Sequence, residues 1–132
     1  MTRILLVEDN PANQLLSLTV LEQAGFTVDV AESAVEVIRR LRANRPDIIL
    51  MDVQLPGQDG LSLTRELKAD PSYSSIPIVA LTGHAMIGDR EEALAAGCAG
   101  HITKPIDIDV FADQVREFLK LAPTTRRPRP SS

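Results

Sequence analysis

Read along its apolar positions, the chain alternates short continuous runs with longer stretches of helical period. Arg3 to Val7 (RILLV) is the first short run, apolar and β-capable. Asn10-Pro11 follows, then a stretch to Ala24 in which Leu15, Leu16, Leu18, Val20 and Leu21 predict a helix ended by Gly25. Thr27 to Ala31 predicts a second strand. Ser33, with Glu36 three positions on, reads as a capping box opening a helix through Val35, Ile38 and Leu41, which Asn44 to Pro46 stop. The alternation repeats with strands at Ile48 to Met51, Ile78 to Leu81 and Ile102 to Thr103, and helices at Leu61 to Ala69, Asp89 to Ala96 and Val110 to Leu121. The pattern is five βα units.

Strands that are apolar throughout, rather than at every second position, are buried on both faces, so the sheet is parallel and covered by helices on each side. The length fits an open doubly wound α/β sheet, since a closed eight-unit barrel takes about 250 residues. Such a sheet binds its ligand beyond the carboxyl ends of the strands. Composition narrows the picture further. The 132 residues make one domain at roughly 100 to 200 residues each, and 44% apolar with 24% charged is ordinary for a globular chain. We assign residues 1–121 to that domain and read 122–132, rich in Pro, Arg, Thr and Ser without an apolar stripe, as a disordered tail.

No apolar run approaches the roughly 18 residues of a membrane span, and Ile4 to Val7 is interrupted by Glu8 and Asp9 too soon for a signal-peptide core, so a cytoplasmic protein without membrane partners is expected. Of fourteen basic residues, Arg126, Arg127 and Arg129 lie in the tail; the rest of the chain sets eleven against eighteen acids, a net −7. A body of that sign lacks the basic patch needed for direct nucleic-acid binding. Cys98, the single cysteine, excludes an internal disulfide and reads as a small buried packing residue.

The chemistry sits where the strands end. The first ends in Glu8-Asp9, the third in Asp52, the fourth in Thr82-Gly83 and the fifth in Lys104-Pro105. Any one acid there could merely cap a helix, as Asp9 or Asn10 could. Three carboxylates converging on one rim repel one another unless a cation lies among them, and hard oxygen ligands suit Mg²⁺. Mg²⁺ held this way commonly shares its shell with a phosphate, for which Lys104 offers a charge and Thr82 a hydroxyl. The set describes phosphoryl transfer with Asp52 as nucleophile, giving an aspartyl phosphate.

The blocks LLVEDN (Leu5 to Asn10), ILMDVQLPGQDG (Ile49 to Gly60), IVALTGH (Ile78 to His84) and ITKPI (Ile102 to Ile106) together resemble the receiver domain of two-component response regulators, in order and over Arg3 to Leu121. The resemblance implies a flavodoxin-like fold of five parallel strands in order 2-1-3-4-5. It implies Asp52 as phosphoacceptor, Asp9 as a direct Mg²⁺ ligand, Glu8 as a ligand through water and the Gln54 carbonyl as the remaining protein ligand. Lys104 corresponds to the phosphate-binding lysine, Pro105 to a cis-peptide proline and Thr82 to the switch hydroxyl. Gln54 and His84 fall at positions that tune phosphate lifetime.

One position departs from the commonest pattern. His101 stands where Tyr or Phe is usual, three residues before the lysine, and so becomes the switch partner of Thr82; imidazoles as a class titrate near physiological pH. The implied partners are a sensor histidine kinase or histidine phosphotransfer protein and a downstream protein target, with the chain read as a free-standing regulator. Apolar residues occupy most of the circumference of the first helix, which points to a docking surface of Ala12, Asn13 and Leu16 with Pro105 and Ile106. Two alternatives compete. An aspartate-based phosphohydrolase would carry a general acid two residues after its nucleophile, where this chain has Gln54. A phosphate-independent interaction module would have lost Asp52, Lys104 or the acid pair, and all are present.

Overall fold

The computed structural model describes residues 2–55, 58–83 and 87–120, with backbone alone at 58 and 87–89. In chain order the elements are β1 (Arg3–Val7), α1 (Pro11–Gln23), β2 (Thr27–Ala31), α2 (Ala34–Ala43), β3 (Ile48–Asp52), β4 (Gln54–Leu55), β5 (Gln58–Asp59), α3 (Gly60–Ala69), β6 (Ile78–Thr82), α4 (Ile87–Ala96), β7 (Gly100–Thr103) and α5 (Phe111–Lys120). Five strands form one parallel sheet in order β2-β1-β3-β6-β7, which is 2-1-3-4-5 once the small hairpin is set aside. This is the doubly wound, flavodoxin-like architecture expected.

Alternation along each strand sends neighbouring side chains to opposite faces, and both faces are covered. Leu5, Val7, Ile49, Met51, Ile78 and Ala80 meet Val37 and Leu41 of α2, Leu63 and Leu67 of α3, and Ala93 and Ala96 of α4. Ile4, Leu6, Ile48, Leu50, Val79, Leu81 and Ile102 meet Leu21 of α1 and Phe111 and Val115 of α5. At about 1.5–3 kcal/mol for each large apolar side chain taken out of water, these two layers are the main favourable term in folding. They also explain why the central strands lack alternation in the sequence.

Local chemistry sets the helix ends. Asn10 Oδ1 accepts from the Asn13 N–H at 3.1 Å, and Pro11 occupies the first turn, where no donor is needed. Gly25, at φ +97°, closes α1: its N–H donates to Glu22 O and that of Phe26 to Leu21 O. Ser33 Oγ caps α2 through the Glu36 N–H, but the Glu36 carboxylate reaches back to the N–H of Glu32 rather than to that of Ser33. Strand β7 starts two residues before the expected Ile102, because Gly100 and His101 already pair with Val79 and Ala80. Cys98 is buried against the α2–α3–α4 layer, and burial pushes its thiol up to about 11.

The antiparallel pair of β4 and β5, joining Gln54 to Asp59 and Leu55 to Gln58, has no counterpart in the strand expectations. Two-residue strands carry too little hydrophobic pattern to register, although Pro56-Gly57 between them is a turn signal in the sequence. Leu121, the tail at 122–132 and His84 lie outside the described residues.

Candidate phosphoacceptor and cation site

The carboxyl edge of the sheet brings three acids together. Glu8 follows β1, Asp52 closes β3, and each is 1% exposed; Asp9 faces solvent beside them. One carboxylate oxygen from each of Glu8, Asp9 and Asp52 lies within 4.8 Å of the others. Lys104, beyond the end of β7, sets Nζ at 3.0 Å from Asp52 Oδ2 and 3.6 Å from Glu8 Oε1. The other Asp52 oxygen, Oδ1, accepts from the Gln54 N–H at 2.9 Å, so both oxygens have a fixed direction. Glu8 Oε2 in turn accepts from the Asn10 N–H at 3.2 Å.

The electrostatics call for more positive charge than Lys104 supplies. Three carboxylates against one ammonium leave the cluster two charges negative, with two of the acids out of water. Burial, reinforced by the hydrogen bond and the negative charge of Asp52, holds the Glu8 carboxyl above the usual range despite the opposing pull of the Asn10 N–H and Lys104. A divalent cation removes that conflict, and a set made only of oxygens has the hardness Mg²⁺ prefers.

The remaining candidates are less uniformly placed. Thr82 ends β6 nearly buried, one residue beyond Leu81, the partner of Asp52 in the ladder, and its carbonyl accepts from the Lys104 N–H at 2.7 Å. Val53, Gln54 and Thr82 line a cleft of about 320 Å³ with Asp59, Leu61 and Glu92. The Lys104–Pro105 peptide bond is cis. Asn13, Leu16, Pro105 and Ile106 line a shallow groove that also touches Glu8 and Lys104; Ala12 is exposed on the same turn but outside the groove. Leu15, 69% exposed, extends the apolar face of α1. His101 is half-buried on the edge strand opposite Ala80, not among the acids.

Two contributors escaped the sequence reading. A Cβ on Gly60 would collide with the carbonyl oxygen of Asp52, so only glycine lets α3 start under the end of β3. Gln14 donates Nε2–H to the Glu8 carbonyl at 2.6 Å and to Glu32 Oε2 at 2.9 Å. The dipeptide Asp59-Gly60 before an apolar helix was a visible signal for the first; nothing local distinguishes Gln14 from a solvent-facing glutamine.

Comparison with known proteins decides the family. The model of the response regulator receiver domain matches residues 4–116. The chain belongs to the response regulator receiver domain family. It is thus a phosphorylation-activated switch of two-component signalling, a class that takes its phosphoryl group from a histidine kinase, and not an enzyme with substrates of its own. The polar-differentiation response regulator DivK of Brucella anthropi is 37% identical over 116 residues, 88% of this receiver and 94% of DivK. The receiver domain of a sensor histidine kinase from Pseudomonas aeruginosa, solved with a magnesium ion coordinated in its active-site cleft, is 37% identical with a TM-score of 0.81, covering 90% of this chain and 98% of that one. The signal receiver domain of a histidine kinase from Syntrophus aciditrophicus is 34% identical with a TM-score of 0.81, covering 91% of each. No helix among the described residues is long and apolar enough to cross a membrane.

Proposed function

We propose that Asp52 is the phosphoacceptor of this receiver and that Glu8, Asp9, Asp52 and the Gln54 carbonyl hold the Mg²⁺. The observation that carries the reading is the convergence of a buried Asp52 with two further acids and one lysine at the carboxyl edge of the sheet. An Asp52 oxygen attacks the phosphorus of a phosphohistidine; the P–N bond breaks as the P–O bond forms, and the donor imidazole leaves with the electron pair. Bound Mg²⁺ supplies neutralisation of the phosphoryl oxygens. Lys104, which pairs with Asp52 before transfer, provides the ammonium for the new phosphoryl group.

Thr82 is the switch hydroxyl, offering a hydrogen bond to the phosphoryl oxygen from the end of β6, and His101 responds from β7, its neighbour in the sheet. Gln54 and His84 tune the lifetime of the phosphate. The groove of Asn13, Leu16, Pro105 and Ile106, with Ala12 at its margin, receives the histidine kinase or phosphotransfer protein, because it leads from an apolar helix face to Lys104. A downstream protein reads the switched state. The test is incubation with acetyl phosphate and Mg²⁺ followed by intact mass: wild type gains one phosphoryl group and Asp52→Asn gains none. Wild-type levels of acid-labile phosphate on Asp52→Asn would overturn the assignment.

A further inference from the structure

We propose that Gln14 is a positioning residue for this pocket, holding the Glu8–Asp9 loop in its cation-binding shape from α1; the inference rests on the pocket reading given above. The argument begins with an interrupted ladder. The Glu8 N–H still donates to Ala31 O at 3.0 Å, the last rung between β1 and β2. The Glu8 carbonyl would need the next donor along β2, but the chain turns away there. In this parallel register that donor is the Ser33 N–H, two residues beyond Ala31, but Ser33 has already left the strand as the cap of α2, and the Glu32 N–H, which points away from β1, goes to the Glu36 carboxylate at 2.9 Å.

Gln14 fills the gap. Its Nε2 donates to the Glu8 carbonyl at 2.6 Å and to the Glu32 carboxylate at 2.9 Å. Both partners are acceptors, which sets the orientation of the amide, and the charge on Glu32 strengthens the second bond. The backbone of Gln14 is anchored as well, its N–H donating to Asn10 O at 2.9 Å, while the N–H of Asn10 holds Glu8 Oε2. Residues 8 and 10 are therefore pinned on either side of Asp9. Among the described residues no hydrogen bond or ion pair holds the exposed Asp9 carboxylate, so its place in the cluster depends on that backbone. A loop ordered in advance spends less of the cation's binding energy on ordering itself.

The test titrates Mg²⁺ alone by calorimetry into the intact chain and follows thermal unfolding and the Asp9 amide resonance in parallel. Gln14→Met, which keeps the length and removes both donors, is expected to bind Mg²⁺ about fivefold more weakly, in keeping with loss of a hydrogen bond, and to broaden the Asp9 amide. Glu32→Ala frees one side of Gln14 without touching α1 and should weaken binding about two- to threefold, whereas Glu32→Gln, which loses the charge but keeps an acceptor, should weaken it less. Adding Glu32→Ala to Gln14→Met should bring no further loss, because Glu32 acts through Gln14. Unchanged Mg²⁺ affinity in a folded Gln14→Met protein, with binding lost in Asp9→Asn, would overturn the proposal and leave the pocket reading standing. Unchanged affinity in Asp9→Asn would instead overturn the pocket reading itself. If Gln14→Met does not fold, equal weakening by Glu32→Ala and Glu32→Gln would overturn the proposal by assigning the effect to charge.

Discussion

Glu8 is a pocket acid whose chemistry its surroundings alter. Its raised value, caused first by burial and then by Asp52, means that the folded chain binds the Glu8 proton more tightly than the unfolded chain does. The contribution to stability is therefore full below the ordinary glutamate value of 4.5 and is lost as pH rises through the folded value. Without divalent cations, Glu8→Gln is expected to melt at a higher temperature than wild type at pH 7 and to lack this part of the pH dependence; thermal unfolding in EDTA across the acid range measures both. Asp9 makes the opposite case. It is exposed and held by no hydrogen bond or ion pair among the described residues, so Asp9→Asn should leave the cation-free protein nearly unchanged while removing most of its stabilisation by Mg²⁺. For wild type that stabilisation is about 2.7 kcal/mol at a Mg²⁺ concentration one hundred times the dissociation constant.

At the scale of elements, the site depends on how closely α3 and α1 approach the strand ends. The Gly60 N–H donates to Val53 O at 2.9 Å, which draws the start of α3 against the Asp52 carbonyl. Gly60→Ala places a methyl group on that carbonyl and should cost about 1–3 kcal/mol of stability, read by urea unfolding, as the end of β3 is pushed aside. Its backbone φ is not positive, so the cost is steric rather than conformational. On α1, exposed Leu16 shares its groove with Ile106 beyond β7. Leu16→Arg is expected to slow phosphotransfer from a phosphohistidine protein about tenfold while leaving phosphorylation by acetyl phosphate unchanged, because a small donor needs no docking face. Parallel single-turnover assays with the two donors separate those outcomes.

For the whole molecule, the central question is how a charge added at Asp52 reaches other surfaces. β6 and β7 both end at the pocket, through Thr82 and Lys104, and α4 follows β6 in the chain. Beryllofluoride with Mg²⁺ should shift amide resonances along α4 and β7 as well as at Asp52. Shifts confined to the acid cluster would contradict a global switch. Reversing a two-state population from 1:99 to 99:1 requires about 5.5 kcal/mol, so phosphorylation and partner binding are expected to share that shift. Much of this architecture was legible beforehand. Five apolar runs separated by capped helical stretches dictate a parallel sheet covered on both faces, since no other arrangement buries residues such as Ile49 and Leu50, which point in opposite directions. Glu8, Asp9, Asp52, Thr82 and Lys104 were legible for a related reason: a polar residue immediately after a buried strand must lie at its carboxyl end. Tertiary structure alone decided the rest. The hairpin of β4 and β5 is too short to impose a hydrophobic period, and its strands exist because the chain must turn between Asp52 and α3. Gln14 gains its place only because β2 stops supplying donors one rung before β1 runs out of acceptors, a mismatch between strands that are separated in sequence by α1.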